Sequence, residues 1–385
     1  MTIKATIPPE RRDLRLDLFR GAANWAIFIN HMPNNVAIWL TTRNYGFSDA
    51  AELFVFTAGY AATIVFSKLM ITKGFALAAA QLLKRALQLY VAHAALLIFY
   101  ITIVYLVAKT SGHLQLLQEY NVAGFYDDPV IRLTQGLLLN FKPRNLDILP
   151  LYVVLLAACP PVLWSVLRWP NFTISASFTL YLIARGCNWN LPGYPSGVWY
   201  FNPFTWQFLF FLGAWCTLRG ARMLRCILHS KTTLIICLAY LIFGCMVTTA
   251  SYSEFWRSYF PEWFLVAFSG NDKTNLDPHR ILHFCIIAIL VVRFIPFEWP
   301  GLRSRILRPL IVCGQHSLEV FCVGIVMSFI GYMLLVTTSR TLLTQMVITI
   351  AGIAALTGVG YYKQWSRLKG GPSTSRRSTV PRGSS

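Results

Sequence analysis

The feature that most constrains this chain is a series of apolar segments long enough to cross a lipid bilayer. About 20 apolar residues span the ~30 Å hydrocarbon core as a helix, which satisfies its own backbone hydrogen bonds. A mean hydropathy of +0.53 agrees with such a composition. We therefore expect an all-α, polytopic integral membrane protein of about ten transmembrane helices. The predicted spans are residues 20–42, 49–67, 86–108, 148–167, 171–184, 203–218, 232–250, 280–295, 310–337 and 342–362.

The distribution of basic residues predicts the orientation of these spans. With a cytoplasmic N-terminus, the inner segments hold 24 of the 34 Lys and Arg residues and the outer segments hold 10. This asymmetry follows the positive-inside rule, so we expect an N-in, C-in topology. The same basic loops account for the formal net charge of +19, and we expect the lipid bilayer rather than a nucleic acid as the partner.

Three parts are predicted along the chain. They are a cytoplasmic N-terminal segment at residues 1–19, a transmembrane domain at 20–362 and a disordered cytoplasmic tail at 363–385. The tail is polar and of low complexity, and its VPRGS ending resembles a protease-cleavage scar from cloning. The polar start of the chain predicts no removable signal peptide. The nine cysteines are scattered singly, which favours neither a disulfide framework nor a zinc site.

The first span carries polar side chains at the helical period. Ionisable groups inside a membrane are costly, and we treat them as functional candidates that face protein or water. Pro33 predicts a kink just past His31, and Asn30 points about 100° away from the polar stripe. On one continuous helix, five residues fall within roughly 60° of one another, namely Asp17, Arg20, Asn24, His31 and Asn35.

His31 is the candidate general base of this stripe. It lies ~16 Å into the span, and an imidazole titrates near neutral pH. A packing histidine that donates one hydrogen bond to a neighbouring helix is an equally good interpretation of the residue alone. Glu319 is expected at a similar depth in the ninth span, where it would orient His31 or balance an arginine.

Arginines at the cytoplasmic start of the first span are candidates for binding phosphate. Guanidinium groups bind phosphate oxygens in a bidentate fork, which would suit a nucleotide-like or coenzyme A donor. The simpler interpretation makes them topology anchors beside anionic lipid, with Asp13 and Asp17 as local partners. The candidates are Arg12, Arg15 and Arg20.

A second group of polar residues is expected to rim an outer vestibule. Asp49 and Glu52 lie one helical turn apart at the outer start of the second span. The i,i+4 pair His279 and His283 lacks the rest of a zinc signature, so we expect no metal. Tryptophans of the outer loops suit either sugar stacking or a membrane-interface belt. The candidate acceptor-binding residues are Asp49, Asp147, His279, Arg280 and His283.

The order of these motifs resembles a known family. The chain resembles the OpgC family of integral-membrane proteins over roughly residues 11–362. The motifs that carry the resemblance are, in order, RLDLFRG, NH, SDAAELFVFTAGY, NLDILPLY and GQHSLEVF. That family attaches succinyl groups to osmoregulated periplasmic glucans. More distantly, the first two spans look like acyltransferase family 3. The resemblance implies the bacterial inner membrane, a cytoplasmic acyl-CoA donor and an extracytoplasmic acceptor.

The resemblance also implies roles for individual residues. His31 would be the catalytic base and Asn30 its polarising neighbour, while Arg15 and Arg20 would match the donor-side arginines. Glu52 would match the acid of the second span. The pattern D-A-A-E departs from the broader superfamily, so either Asp49 or Glu52 has the essential role.

We therefore expect an O-acyltransferase that moves a succinyl group from succinyl-CoA to a periplasmic glucan, with no tightly bound cofactor. The sequence does not separate succinyl from acetyl transfer. Without a G-x-S-x-G motif or a poised cysteine, direct transfer is preferred to a covalent intermediate. The alternative is a transporter of a small anionic or sugar substrate, because a polar stripe at mid-membrane also suits a substrate pathway. The missing inverted repeat counts against it. An assembly partner without chemistry would leave His31 and Glu319 unexplained.

Overall fold

The computed structural model describes residues 12–125, 127–220, 228–269 and 271–370. The tail predicted to be disordered at 363–385 is helical at 363–370, where it continues the last helix (Leu342–Gly370), and its remainder, 371–385, lies outside the described residues, as does the start of the N-terminal segment. Within the described residues the chain is helical, and strand-like pairing is limited to one isolated bridge between Pro192 and Val198. The prediction of an all-α fold is confirmed.

Fifteen α-helices follow one another in the described residues. The first eight are α1 (Leu14–Asn30), α2 (Ala50–Lys73), α3 (Phe75–Ser111), α4 (Gln115–Glu119), α5 (Pro129–Leu137), α6 (Ile148–Arg168), α7 (Pro170–Gly186) and α8 (Pro203–Trp215). The remaining seven are α9 (Lys231–Tyr252), α10 (Glu254–Arg257), α11 (Glu262–Ser269), α12 (Pro278–Phe294), α13 (Arg308–Gln315), α14 (Ser317–Thr337) and α15 (Leu342–Gly370).

Six of these helices are long and apolar enough to cross a membrane, namely α2, α3, α6, α9, α14 and α15. The other predicted spans coincide with shorter helices, since α1, α7 and α12 have 17 residues each and α8 has 13. The chain is therefore a membrane protein with at least six span-length helices. The number of about ten spans and their orientation stay predictions.

Two predicted spans are wrong as single helices. The first was expected at 20–42, but α1 begins at Leu14 and ends at Asn30, and only short 3-10 turns follow it. Pro33 cannot continue the helix, and Asn34 has a left-handed φ of 61°. The ninth was expected at 310–337, but the helix breaks at His316, between α13 and α14.

Small residues let α1 approach α13 closely. A Cβ atom at Gly21 would overlap the carbonyl oxygen of Leu310, and one at Gly314 would overlap the carbonyl oxygen of Asp17. Membrane helices use such residues because packing, rather than the hydrophobic effect, holds them together within lipid. The reciprocal pair fixes α1 against the broken helix, and the C-terminal end of α1 is positioned accordingly.

The loops that were predicted to lie on one side of the membrane do gather at one end of the bundle. The end of α1, the start of α2 and the segments around 142–148, 200–201 and 247–273 line one common cavity. We call this the His31 end of the molecule. The opposite end, where α1 begins, is called the Arg12 end.

Candidate active site

His31 stands at the point where α1 stops. It is the C-cap residue of α1, and its Nδ1 atom is buried without a hydrogen-bond partner among the described residues. A buried polar atom without a partner costs free energy, and a ligand or water that reached it would supply the missing hydrogen bond. His31 lines a cavity of about 690 Å³, which we call the polar cavity. The structure therefore gives His31 an open face at the His31 end.

Asn30 is oriented beside it by a hydrogen bond. The hydroxyl of Thr41 donates to Asn30 Oδ1 at 2.9 Å, so the amide NH2 group is the remaining donor of this side chain. Asn30 also lines the polar cavity. An amide donor next to a candidate base is the arrangement that stabilises a developing oxyanion.

The two acids of the second span hold the wall of the polar cavity. Asp49 and Glu52 form a capping box at the start of α2, in which Glu52 Oε2 accepts from the Asp49 backbone N–H at 2.8 Å. Arg280 Nε donates to Glu52 Oε1 at 2.6 Å, and Arg280 Nη2 donates to Asp49 Oδ2 at 3.2 Å. Lys273 Nζ reaches the same Asp49 oxygen at 2.6 Å.

This network separates the roles of the two acids. Glu52 is fully buried beneath the wall, while Asp49, Lys273 and Arg280 line the polar cavity. Glu52 therefore faces Arg280 and the helix terminus rather than the cavity. It is placed to position α12 against α2, and Asp49 is the acid that a ligand in the cavity meets.

The predicted acceptor histidines lie behind the cavity wall. Ser48 Oγ and His283 Nδ1 are 2.7 Å apart, and the ring of His283 packs so closely over Gly46 that a Cβ there would overlap it. His279 packs on the ring of Phe47, 5.5 Å between centroids. Neither histidine lines the polar cavity. Both histidines support the 46–49 loop. The structure does not place either of them where it would contact an acceptor in the polar cavity.

Asp147 does line the polar cavity, together with a lysine that the sequence did not single out. Lys142 Nζ lies 3.7 Å from the ring centroid of the buried Trp199. Burial lowers the pKa of the Lys142 ammonium group to about 8 and raises the pKa of the Asp147 carboxyl group to about 6.

The predicted donor arginines lie at the Arg12 end and differ in accessibility. Arg12 pairs with Asp17 at 2.6 Å, and Arg15 pairs with Asp13 at 2.8 Å, so both acids are local partners as expected, although the pairs are five and two residues apart rather than at helical spacing. Arg15 Nη1 also donates to the carbonyl oxygen of Ile295, which occupies more of its fork.

Arg20 is the donor arginine that reaches inside the bundle. Its Nη2 donates to the carbonyl oxygen of Thr57 at 2.6 Å. With Arg85, Tyr152 and others it lines a second cavity of about 420 Å³, which we call the apolar cavity. Most of the other lining side chains are aliphatic or aromatic.

A single ring borders both cavities. Phe321 of α14 lines the polar cavity and the apolar cavity, and its ring lies 6.0 Å from that of Phe54 between centroids. The two cavities are therefore neighbours, with His31 on one side of Phe321 and Arg20 on the other.

Glu319 is not placed where the sequence predicted. Because the ninth span breaks at His316, Glu319 falls in the first turn of α14, 3.6 Å from Lys363 of α15. It lines neither cavity. The expectation that it orients His31 is wrong. The predicted depth of Glu319 assumed one continuous helix from residue 310, and the break at His316 invalidates that assumption.

The polar stripe of the first span is also shorter than predicted. Asp17, Arg20 and Asn24 do face protein, since they contact Arg12, Thr57 and Ser317. Asn35 does not continue the stripe, because it lies beyond the end of α1. It caps the following 3-10 turn, and its amide group donates to Thr349 Oγ1 at 2.9 Å.

Sequence reasoning missed four basic residues of the polar cavity, namely Arg43, Lys142, Arg144 and Lys273. Each lies in a loop between spans, where a basic residue is ordinarily taken as a topology signal. A signal was available for Arg43, which immediately precedes the Asn-Tyr-Gly turn on the side opposite the basic loops.

The span-length helices and the buried ionisable groups define a polytopic membrane protein with a polar cavity in its interior. The profile of the OpgC protein family matches residues 12–368, so the chain belongs to that family. Membership indicates a membrane acyltransferase that modifies glucans, with an acyl donor and a glucan acceptor. Comparisons with curated proteins and with solved structures give no significant match.

Proposed function

We propose that this protein transfers a succinyl group from cytoplasmic succinyl-CoA to a hydroxyl group of a periplasmic glucan, in the bacterial inner membrane. The observation that carries the proposal is the pair of neighbouring cavities, with the unpartnered imidazole of His31 in one and the arginine Arg20 in the other. An acyltransferase that works across a membrane needs both a donor compartment and an acceptor compartment.

The apolar cavity suits the donor. In the proposed orientation it lies toward the cytoplasm, and Arg20 and Arg85 offer positive charge for the phosphates of coenzyme A. Its apolar walls suit a largely uncharged thioester arm. The arm would pass Phe321 to bring the thioester carbonyl to His31 and Asn30.

The polar cavity suits the acceptor and the reaction. His31 takes the proton of a glucan hydroxyl while its oxygen attacks the thioester carbonyl carbon, and the Asn30 amide donates to the oxyanion. Collapse of this adduct breaks the carbon–sulfur bond, and the departing thiolate accepts the proton from the imidazolium ion. The products are a glucan ester and free coenzyme A, so protons and electrons balance.

Replacement of His31 tests the proposal directly. We expect His31→Ala to remain inserted and folded but to lose about 10²–10⁴-fold in acyl transfer, because the base is removed from a site with little water. The assay would use purified protein in lipid with labelled succinyl-CoA and extracted glucan, and would count released coenzyme A and labelled ester. His113→Ala is the matched control, since His113 is a histidine of a loop that lines neither cavity.

Two results would contradict the proposal. Normal glucan substitution by His31→Ala would return His31 to a packing role. A wild-type protein that releases no coenzyme A with both substrates present, yet moves a labelled solute across the bilayer, would favour a transporter.

A further inference from the structure

The charges that line the polar cavity are not balanced. Five basic residues and two carboxylates face it, which are Arg43, Lys142, Arg144, Lys273 and Arg280 against Asp49 and Asp147. A neutral glucan gives no reason to keep unpaired cations in such a cavity. The lining therefore points to an anionic group in the ligand.

Most of these cations already have a carboxylate partner. Lys273 and Arg280 share Asp49, and Arg280 also binds the buried Glu52. Arg144 lies 3.5 Å from Glu119. These charges are balanced by the protein itself, and they hold the cavity wall together.

Arg43 has no carboxylate within 4 Å among the residues that the structure describes. Its Nη1 donates to the carbonyl oxygen of Asn30 at 3.4 Å, which leaves the other guanidinium N–H groups for a ligand. Carboxylates are the ligands that match a guanidinium fork in plane and spacing.

The backbone on both sides of Arg43 is anchored. The Thr41 hydroxyl is hydrogen-bonded to Asn30 and to the carbonyl oxygen of Ile38. The buried Asn44 accepts a hydrogen bond from the Tyr252 hydroxyl at 3.1 Å. The backbone of Arg43 is therefore fixed at the rim of the cavity by its neighbours, and its exposed side chain is open to a ligand.

Lys142 is the other lining cation without a carboxylate at salt-bridge distance in the described part of the chain, but one face of its ammonium group is covered by an aromatic ring. Its ammonium group rests on Trp199 and interacts electrostatically with Asp147.

We propose that Arg43 binds the free carboxylate at the far end of the transferred acyl group and thereby selects a dicarboxylic acyl donor. This inference rests on the proposed acyl transfer and assigns its donor specificity to one residue. Arg43 donates to the main chain of Asn30, the residue before His31. A carboxylate a few bonds from a carbonyl held at His31 and Asn30 thus comes within its reach.

The test compares two donors that differ only at the far end of the acyl group. Succinyl-CoA and butyryl-CoA have the same four-carbon chain, and a methyl group replaces the carboxylate in the second. For Arg43→Gln we expect the ratio of kcat/KM for succinyl-CoA to that for butyryl-CoA to fall by about tenfold or more. Arg43→Lys should recover only part of the ratio, because it keeps the charge but not the fork.

Lys142→Met is the matched control, since it removes a lining cation that contacts Trp199 rather than the main chain next to His31. We expect it to leave the donor ratio unchanged. The inference is overturned if Arg43→Gln lowers both donors equally, or if Lys142→Met rather than Arg43→Gln changes the ratio. Butyryl transfer by Arg43→Gln reports its folding within the same assay. A wild-type protein that transfers neither acyl group overturns the proposed function itself.

Discussion

Three arginines near the start of α1 looked alike in the sequence, and the structure distinguishes them by what occupies each guanidinium group. Arg15 is held by Asp13 and by the carbonyl oxygen of Ile295. Arg12 is largely exposed and pairs with Asp17. Arg20 reaches into the apolar cavity. If the apolar cavity holds the donor, replacement of Arg20 should weaken donor binding more than replacement of Arg12 or Arg15.

We expect Arg20→Gln to raise the apparent KM for succinyl-CoA by about tenfold or more, because removal of ground-state binding appears first in KM. Arg20→Lys should recover part of the loss. Arg15→Gln is the comparison and should change KM less, since Arg15 is paired with Asp13 and lines neither cavity. Initial rates at saturating glucan would measure this. An unchanged KM in Arg20→Gln would remove this residue from the donor site.

At the scale of elements, the capping box of α2 and the ion pair to α12 share one side chain. Glu52 accepts from the Asp49 backbone and from Arg280. Gln at position 52 keeps an acceptor for the capping box but removes the charge that balances Arg280. This substitution therefore separates helix capping from the contact between α2 and α12.

We expect Glu52→Gln to destabilise the fold by about 3 kcal/mol, because the buried Arg280 loses its closer carboxylate and keeps only Asp49, which it shares with Lys273. Thermal unfolding in detergent, followed by tryptophan fluorescence, would measure the effect. Lys363→Gln breaks a half-exposed pair with Glu319 and should cost less than about 1 kcal/mol. Equal losses of stability in the two variants would show that the Glu52–Arg280 contact stabilises the fold no more than the Lys363–Glu319 pair does.

The elements also show where sequence reasoning succeeds and where it stops. Apolar runs predict α2, α6 and α9 to within a few residues, except that α2 is longer at its end, because a membrane helix must be both apolar and long. The ends of α1 and α13 were missed, since both breaks fall at short polar stretches between apolar runs, and those polar residues were interpreted as functional residues within one helix. Pro33 marked the first break only as a kink.

Sequence reasoning likewise found one part of the candidate site and missed another. His31, Asn30 and Asp49 could be found because they stand in the local motifs of the first two spans. Lys273 and Arg280 meet Asp49 across 224 and 231 residues of chain, and no local pattern carries that information. Arg43 was hidden for another reason, because a basic residue in a loop has a sufficient explanation in topology.

For the whole molecule, the sidedness of the two cavities decides which substrate each can receive. The segments around the polar cavity are those predicted to lie outside the membrane, and the arginines of α1 are those predicted to lie inside. The gathering of these loops at one end agrees with the alternation of spans. The excess of basic residues predicts which of the two ends faces the cytoplasm.

A topology reporter fused after residue 370 should read cytoplasmic, and one inserted in the 251–279 loop should read periplasmic. The reason is the 24-to-10 distribution of basic residues between the two sides. Paired reporters, one active only in the cytoplasm and one only in the periplasm, would measure both positions in intact cells. Reversed readings at both positions would place Arg20 where no coenzyme A exists.

The position of Phe321 between the two cavities bears on how well the membrane stays sealed to protons. Two cavities that meet at one ring, if they opened to opposite faces of an energised membrane, would leave one side chain between the cytoplasm and the outside. An apolar ring packed beside Phe54 excludes water, and without a continuous file of water protons do not cross. Every turnover that moves this ring aside must fill the gap with substrate, or the catalyst would discharge the proton gradient of its own membrane.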